Sequence, residues 1–328
     1  MILAGDIGGT KCNLGLFREE GRKLRPIFQR RLGTRDYPGF EAVVEDFLKQ
    51  AATEVKDPAI EAAGFGVAGV VADGRHYSEN LPWVVDVSAL KSRLKLKNIT
   101  LLNDIAATAL SLEILSPSDR VTLNPGNAVT HGTQVVIAAG TGLGEALLFW
   151  DGARYRVAPA EGGQADFAPR SEREIQLLRR LKEKLAQVTY EEIVSGRGFL
   201  RIHEFLEPSV RHESFESASG NAAGEITERA LAKTCDVCVK TVAFWVEMFA
   251  GATRNIAMHA MALGGVYLAG GIPVKILSHL QDGIFFKTYC GSGKLSPMLA
   301  RIPIFVVTNE EGPMLGAAYE ALNSSRGL

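Results

Sequence analysis

Cysteine is scarce in this chain, with four in 328 residues. That is too few for a disulfide scaffold, and Cys12 falls inside an apolar run of strand character, which points to a reduced, cytoplasmic protein. Cys235 and Cys238 form the one close pair. They fall in a stretch of helical pattern, Ile226 to Met248, with no second Cys pair or His cluster at zinc spacing, so the pair reads as structural. Long apolar runs are missing too: none approaches the roughly 20 residues of a membrane span, and no basic segment leads into an apolar one at the start. Nor is there a surplus of charge, since 36 Lys and Arg face 37 Asp and Glu for a formal charge of −1. Nothing therefore draws the chain to nucleic acid or to an anionic membrane, and any anionic ligand must be held by local groups. There is no low-complexity linker either, although a chain beyond about 250 to 300 residues usually divides into two domains.

What is present begins at once. Gly5-Asp6-Ile7-Gly8-Gly9-Thr10-Lys11 joins an apolar strand, Ile2 to Ile7, to a second, Cys12 to Phe17. Glycines at 8 and 9 permit positive φ and close approach of a ligand, exposed N–H groups suit phosphate oxygens, and Thr10 adds a hydroxyl. Asp6 stands where the magnesium of a nucleotide would sit. A Gly-Gly pair between apolar runs is equally an ordinary hairpin turn. The layout recurs, however: Val135 to Ala139 is an apolar strand, Gly140-Thr141-Gly142-Leu143-Gly144 a turn, and Glu145 to Trp150 the next strand. The copies lie about 133 residues apart, too far for a solenoid repeat and suited to two related domains. A third glycine turn, Gly270-Gly271-Ile272-Pro273, follows the apolar run Gly264 to Ala269.

Between these turns the chain alternates in the manner of an α/β protein. A third strand is expected near Phe28 to Leu32 and a helix from Tyr37 to Ala52. Strands are expected at Ala63 to Val71 and Ile99 to Leu102, then a helix from Ile105 to Leu115. Helical patterns dominate Ser171 to Met261, interrupted by a polar loop between Pro208 and Asn221. Ile302 to Val307 reads as a last strand and Gly312 to Leu322 as a terminal helix. Competing phosphate motifs fail: Gly291-Ser292-Gly293-Lys294 lacks the first P-loop glycine, Thr288 being there, and Leu295 replaces Ser or Thr. The Gly140 turn leads into a strand, whereas the dinucleotide fingerprint leads into a helix.

Asn103-Asp104 sits where a strand meets a helix, at the carboxyl end of a strand, where ligands bind in open α/β sheets. Either residue also suits an N-cap. The functional alternative makes Asp104 the acceptor of a hydroxyl proton and Asn103 its orienter. Glu161-Gly162-Gly163-Gln164-Ala165-Asp166 places polar side chains around a Gly-Gly turn, a spacing that suits clamping a polyol and equally suits a solvated acidic turn. Glu191 and Glu192 offer further carboxylates, one of them expected to face solvent.

Taken in order, Gly5 to Thr10, Leu102-Asn103-Asp104, Ala139 to Gly144, Glu161 to Pro169, Glu191 to Gly196, Ile226 to Ala230 with the Cys-x-x-Cys segment, and Leu268 to Ile272 resemble the bacterial glucokinase family nearly end to end. The resemblance implies a two-domain actin-like, ribonuclease H-like ATPase fold with internal duplication and an interdomain cleft. Residues 1–110 with 304–328 are expected to form a small α/β domain and residues 111–303 a large one. It implies ATP-dependent phosphorylation of the 6-hydroxyl of glucose with Mg²⁺, and homodimers as a frequent assembly. Asp104 is then the catalytic base, and Asn103, Glu161, Gln164 and Glu191 bind the sugar. Asp6, Gly8, Gly9, Thr10, Gly140, Thr141, Gly142, Gly270 and Gly271 form the ATP site, Asp6 meeting the metal through water. One departure stands out: the family usually has His where this chain has Gln164, which keeps a donor and an acceptor but does not titrate. The chain also lacks the Cys-rich zinc motif of the related kinase family with regulatory members. Two other readings stay open, a kinase for another hexose or amino sugar and a catalytically silent sugar sensor on the same fold.

Overall fold

In the computed structural model, which describes residues 1–21, 23–56, 59–78, 81–215 and 221–328, the opening apolar run is a strand covered on both faces. β1 (Ile2–Ile7) alternates its side chains between two layers. Leu3 and Ile7 pack with Phe40, Val43, Val44 and Phe47 of the helix Phe40–Glu54, while Ile2 and Ala4 pack with Met314, Ala318 and Ala321 of the helix Gly312–Ser325. β2 (Lys11–Glu20), β3 (Lys23–Gly33), β4 (Ala62–Val67) and β5 (Asn98–Asn103) complete the sheet in the order β3-β2-β1-β4-β5. β1 is antiparallel to β2 and parallel to β4, and β4 is parallel to β5. The register pairs Ile7 with Cys12, so Gly8, Gly9 and Thr10 are left to make the turn. The terminal helix also lies close on the helix Asp104–Ser111: a Cβ at Gly316 would stand 1.7 Å from the Ala107 carbonyl oxygen, an approach open only to glycine.

A second sheet repeats the central pattern. β6 (Arg120–Asn124), β7 (Gln134–Ala139), β8 (Leu143–Trp150), β9 (Gly265–Ala269) and β10 (Ile304–Val307) lie side by side as β8-β7-β9-β10-β6. β7 is antiparallel to β8 and parallel to β9, which is parallel to β10; β6 closes the far edge antiparallel to β10. Its core is built on the helix Asp236–His259, where Phe244, Trp245 and Phe249 are buried. Trp245 stacks on Phe199 at 4.8 Å and donates its indole N–H to the Ser195 carbonyl at 3.2 Å, so the one polar atom of this large side chain is satisfied.

By contacts the described residues form two compact units, residues 1–117 with 151–159 and 309–328, and residues 118–150 with 160–308. Ile304 to Val307, placed with the N-terminal residues on sequence grounds, pairs with β9. Residues 151–159 join the first unit, where Arg154 holds Glu320 in a two-pronged ion pair at 2.6 and 3.0 Å.

Several elements differ from their sequence reading for local reasons. The strand expected to run to Val71 stops at Val67, because Gly69 has φ +121° and a short hairpin, Val70–Ala72 with Arg75–Tyr77, follows. The helical stretch from Ile226 is two helices, Ala222–Leu231 and Asp236–His259, parted at Lys233 with φ 55°. Cys235 is thus the N-cap of the second helix, its Sγ accepting from the Cys238 N–H at 3.5 Å. All four cysteines are free thiols, and burial, reinforced by Cys235, pushes Cys238 up to about 12. The polar loop expected after Pro208 falls partly on residues 216–220, outside the described residues. Among the described residues no helix is long and apolar enough to cross a membrane.

Candidate active site

In the first unit the glycine turn is anchored from beneath. The Gly8 N–H donates to the Lys11 carbonyl at 2.9 Å, Thr34 donates its hydroxyl to the Gly8 carbonyl at 2.7 Å and its N–H to the Thr10 carbonyl at 3.1 Å. The Gly8 and Thr10 carbonyls are therefore turned to protein, while Thr10 and Lys11 are exposed at their side chains. Gly8 does not adopt the positive φ expected of it; what restricts the position is space, a Cβ there lying 3.3 Å from the Lys11 oxygen. Asp6 stands opposite Asn13 in the β1–β2 register and accepts its amide N–H at 3.1 Å, and Asn13 in turn accepts from Arg31 at 2.9 Å. Burial raises the Asp6 carboxyl above its usual range, opposed by the Asn13 hydrogen bond and the Arg31 charge.

Asn103 is an N-cap, as one of its two readings had it. Its side-chain oxygen accepts from the Ile105 and Ala106 amides at 2.8 and 3.1 Å, and its amide donates to the Gly69 carbonyl at 2.9 Å. Only its second amide hydrogen is left to offer a ligand. Asp104 opens the helix at the carboxyl end of β5, its Oδ1 fixed by the Ile105 N–H at 2.9 Å. The cap role thus falls on Asn103.

The second unit gathers the remaining polar candidates around the turn that begins at Gly140. β8 starts at Leu143, so this turn is shorter than the glycine pattern suggested. The Gly140 N–H closes it on the Gly142 carbonyl at 2.9 Å. Glu191 sits against it, accepting the Leu143 N–H at 3.0 Å and Arg197 at 2.7 Å. Glu192 pairs with Arg201 and lies 3.8 Å from the same Arg197. The segment Gly162–Gln164 is a turn of 3-10 helix packed on the same place: a Cβ at Gly163 would lie 2.0 Å from the Leu143 oxygen. Backbone bonds then tie Ala165 to Tyr190 and Phe167 to Val188. Glu161 and Gln164, both exposed, are thereby carried on a segment stitched to the one that bears Glu191. Asp166 is held at the edge by Gln187 at 2.8 Å.

Sequence reasoning passed over Glu145, a carboxylate on β8 that reads as an ordinary outward strand residue. Its Oε2 is pressed against Gly162, where a Cβ would stand 1.7 Å away. Burial pushes this carboxyl up to about 7 from 4.5. A folded pKa above the unfolded one stabilises fully below pH 4.5, and that stability is lost as pH rises toward 7. Glu145→Gln is therefore expected to match the wild type near pH 4.5 and to exceed it above pH 7 by up to about 3 kcal/mol. Denaturant unfolding at the two pH values checks this; a difference independent of pH would contradict it.

The second and third glycine turns share a cavity of about 240 Å³, lined by Gly140, Thr141, Gly196, Asn221, Gly271, Ile272 and Lys275 among others. Gly270 has φ +88°, and a Cβ on it would lie 2.3 Å from the Ala139 oxygen, so the third turn rests on the end of β7. It leads into a short helix, Gly271–Lys275, where a plain turn had been expected. Lys275 also escaped the sequence reading, although a basic residue a few positions beyond a glycine turn was available as a signal.

Three comparisons bear on this arrangement. A family profile described as Glucokinase matches residues 3–324. The glucokinase of Nostoc punctiforme is 33% identical over 337 residues, spanning 97% of this chain and 98% of the relative. Among solved structures, a glucokinase from an Antarctic psychrotroph has a TM-score of 0.86 at 24% identity, with 98% of each chain covered. The glucokinase of Balamuthia mandrillaris, solved in complex with glucose, has a TM-score of 0.78 at 23% identity, covering 98% of this chain and 93% of that one. The structural likenesses establish the fold, α/β with mixed sheets; the profile and the curated relative, each running nearly the whole length, establish descent. This chain belongs to the glucokinase family.

Proposed function

We propose that the chain transfers the γ-phosphoryl group of ATP to the 6-hydroxyl of D-glucose, giving glucose 6-phosphate and ADP, on an internally duplicated actin-like fold. The observation that carries the residue assignment is the seat of Asp104, first in its helix at the carboxyl end of β5, with one carboxylate oxygen already oriented by a backbone N–H. As the sugar oxygen attacks the γ-phosphorus, its proton passes to Asp104 and the β–γ bridging bond breaks with its electron pair leaving on ADP. In the loose transition state of phosphoryl transfer the proton leaves late, so an ionised carboxylate within about 3 Å suffices.

Glu161, Gln164 and Glu191 hold the sugar hydroxyls, and Asn103 adds an amide hydrogen. Glu191 is suited to this because Leu143 N–H and Arg197 hold its carboxylate in place. The turns at Gly8-Gly9-Thr10, Gly140-Thr141-Gly142 and Gly270-Gly271 take the nucleotide, the last two across their common cavity. Backbone N–H groups and the Thr10 and Thr141 hydroxyls face the charge on the transferring group. A partly buried carboxylate at Asp6, with one oxygen braced by Asn13, suits a hard divalent cation that keeps most of its waters. Bound there, Mg²⁺ would neutralise phosphate charge.

A panel of hexoses and N-acetylated amino sugars with ATP and Mg²⁺, read by ADP release, tests the substrate. Glucose is expected to give the highest kcat/KM; a clear preference for another sugar, or no sugar-dependent release, overturns the reading. Gln164→His is expected to introduce a pH dependence of the glucose KM between about pH 5.5 and 7.5, where imidazole titrates. Superimposable KM profiles for the two proteins would remove residue 164 from the sugar site.

A further inference from the structure

The Cys235–Cys238 pair, set aside on sequence grounds for want of partners, has them in the fold. His203 lies on the helix Gly196–Leu206, His212 in the segment after it, Cys235 caps the helix Asp236–His259 and Cys238 lies in its first turn. One ligand atom from each of the four comes within 4.8 Å of all the others. His212 Nε2 and Cys238 Sγ are 3.3 Å apart.

Two further features point to a ligand. His203 is fully buried, yet neither of its ring nitrogens has a hydrogen-bond partner among the described residues; buried polar groups are ordinarily paired, and each exception calls for an account. Phe215 packs edge-on against both imidazoles, with ring centres at 5.0 Å from His203 and 5.1 Å from His212, sheltering the cluster with an apolar wall.

We propose that His203, His212, Cys235 and Cys238 form a closed, four-ligand site for Zn²⁺. Two sulfurs and two imidazole nitrogens are a tetrahedral zinc donor set, whereas calcium and magnesium require oxygen ligands. Bond lengths of about 2.3 Å to sulfur and about 2.0 Å to nitrogen place tetrahedral ligands roughly 3.3 to 3.8 Å apart. The His212–Cys238 separation is already at that value, and the widest one needs to close by about an ångström. With all four positions taken by protein the site is structural, not catalytic. It ties the helix Gly196–Leu206 to the helix Asp236–His259, and the first of these supplies Gly196 and Phe199 to the cavity wall. Zinc is thus expected to brace the cavity from a distance, and its binding requires neither sugar nor nucleotide.

The test uses the full chain, freed of any affinity tag and of reductant that chelates metal. After loading with Zn²⁺ and passage over a chelating resin, elemental analysis is expected to find one zinc per chain. Loading with Co²⁺ should give intense tetrahedral ligand-field bands and a thiolate-to-cobalt charge-transfer band. Cys235→Ser and His212→Ala, both at half-buried positions, should each weaken Zn²⁺ binding at least tenfold. The wild-type cobalt spectrum stands whether or not those variants fold. Retention of zinc at a trace level, a six-coordinate cobalt spectrum without thiolate charge transfer, or an intact mass showing Cys235 joined to Cys238 as a disulfide would each overturn the site.

Discussion

Replacing Asp104 with alanine is expected to lower kcat by a factor of about 100 or more, the scale of losing a general base, with little change in nucleotide affinity. The local fold should survive. The helix is capped by Asn103, whose oxygen takes the Ile105 and Ala106 amides, so alanine at the next position leaves the cap in place; loss of a first-turn carboxylate from the helix dipole costs about 0.3–1 kcal/mol. Asp104→Asn sharpens the reading, because the amide keeps the size of the side chain and an oxygen for the Ile105 N–H but accepts no proton. Both variants should fall together. Near wild-type turnover of either in a coupled ADP-release assay would remove Asp104 from the chemistry.

The second large effect concerns a position with no functional group. Gly142→Ala would put a Cβ 2.6 Å from Glu191 Oε2, and a flexible carboxylate is what yields. Displaced from the Leu143 N–H, Glu191 would leave the place proposed for it at the sugar. A hydrogen bond to a charged group contributes about 1.5–3 kcal/mol, so the glucose KM should rise by roughly 10-fold to 150-fold. Glu191→Ala should do the same, and the double variant should be no worse than the worse single one, since both act through one carboxylate. If the two effects multiply, Gly142 acts on something else; if the KM of Gly142→Ala is unchanged, Glu191 does not hold the sugar.

How far these residues were legible follows from the kind of signal each left. β1 reads correctly from Ile2 to Ile7 because a strand covered on both faces is a nearly continuous apolar run, broken here only by Asp6. The strand-turn-strand repeat at Val135 was legible for the same reason. The hairpin Val70–Ala72 with Arg75–Tyr77 was not, since exposed strands of three residues carry no period. Nor was the break at Lys233: lysine is a good helix former, and here it takes the left-handed position, φ 55°, that ends a helix, with the Thr234 N–H returning to the Arg229 carbonyl at 3.0 Å and its own N–H to the Ala230 carbonyl at 3.1 Å. Among the candidate site residues, the position of Asp104 at the start of a helix after a strand was legible. Glu145 was not, because only the fold shows that Gly162 closes over it. The metal cluster was hidden by spacing, as eight residues lie between the histidines and no local pattern joins them to the cysteines. One signal existed: His203 follows Phe199 by four residues, which places it on the same side of its helix as that apolar residue.

The central claim is tested most directly by incubating the chain with ATP, Mg²⁺ and D-glucose and identifying the product. Glucose 6-phosphate formed in equal amount to ADP, by ³¹P NMR and an enzymatic assay for that ester, is the expected result. ADP released without sugar phosphate, or a phosphate on any other hydroxyl, would contradict it.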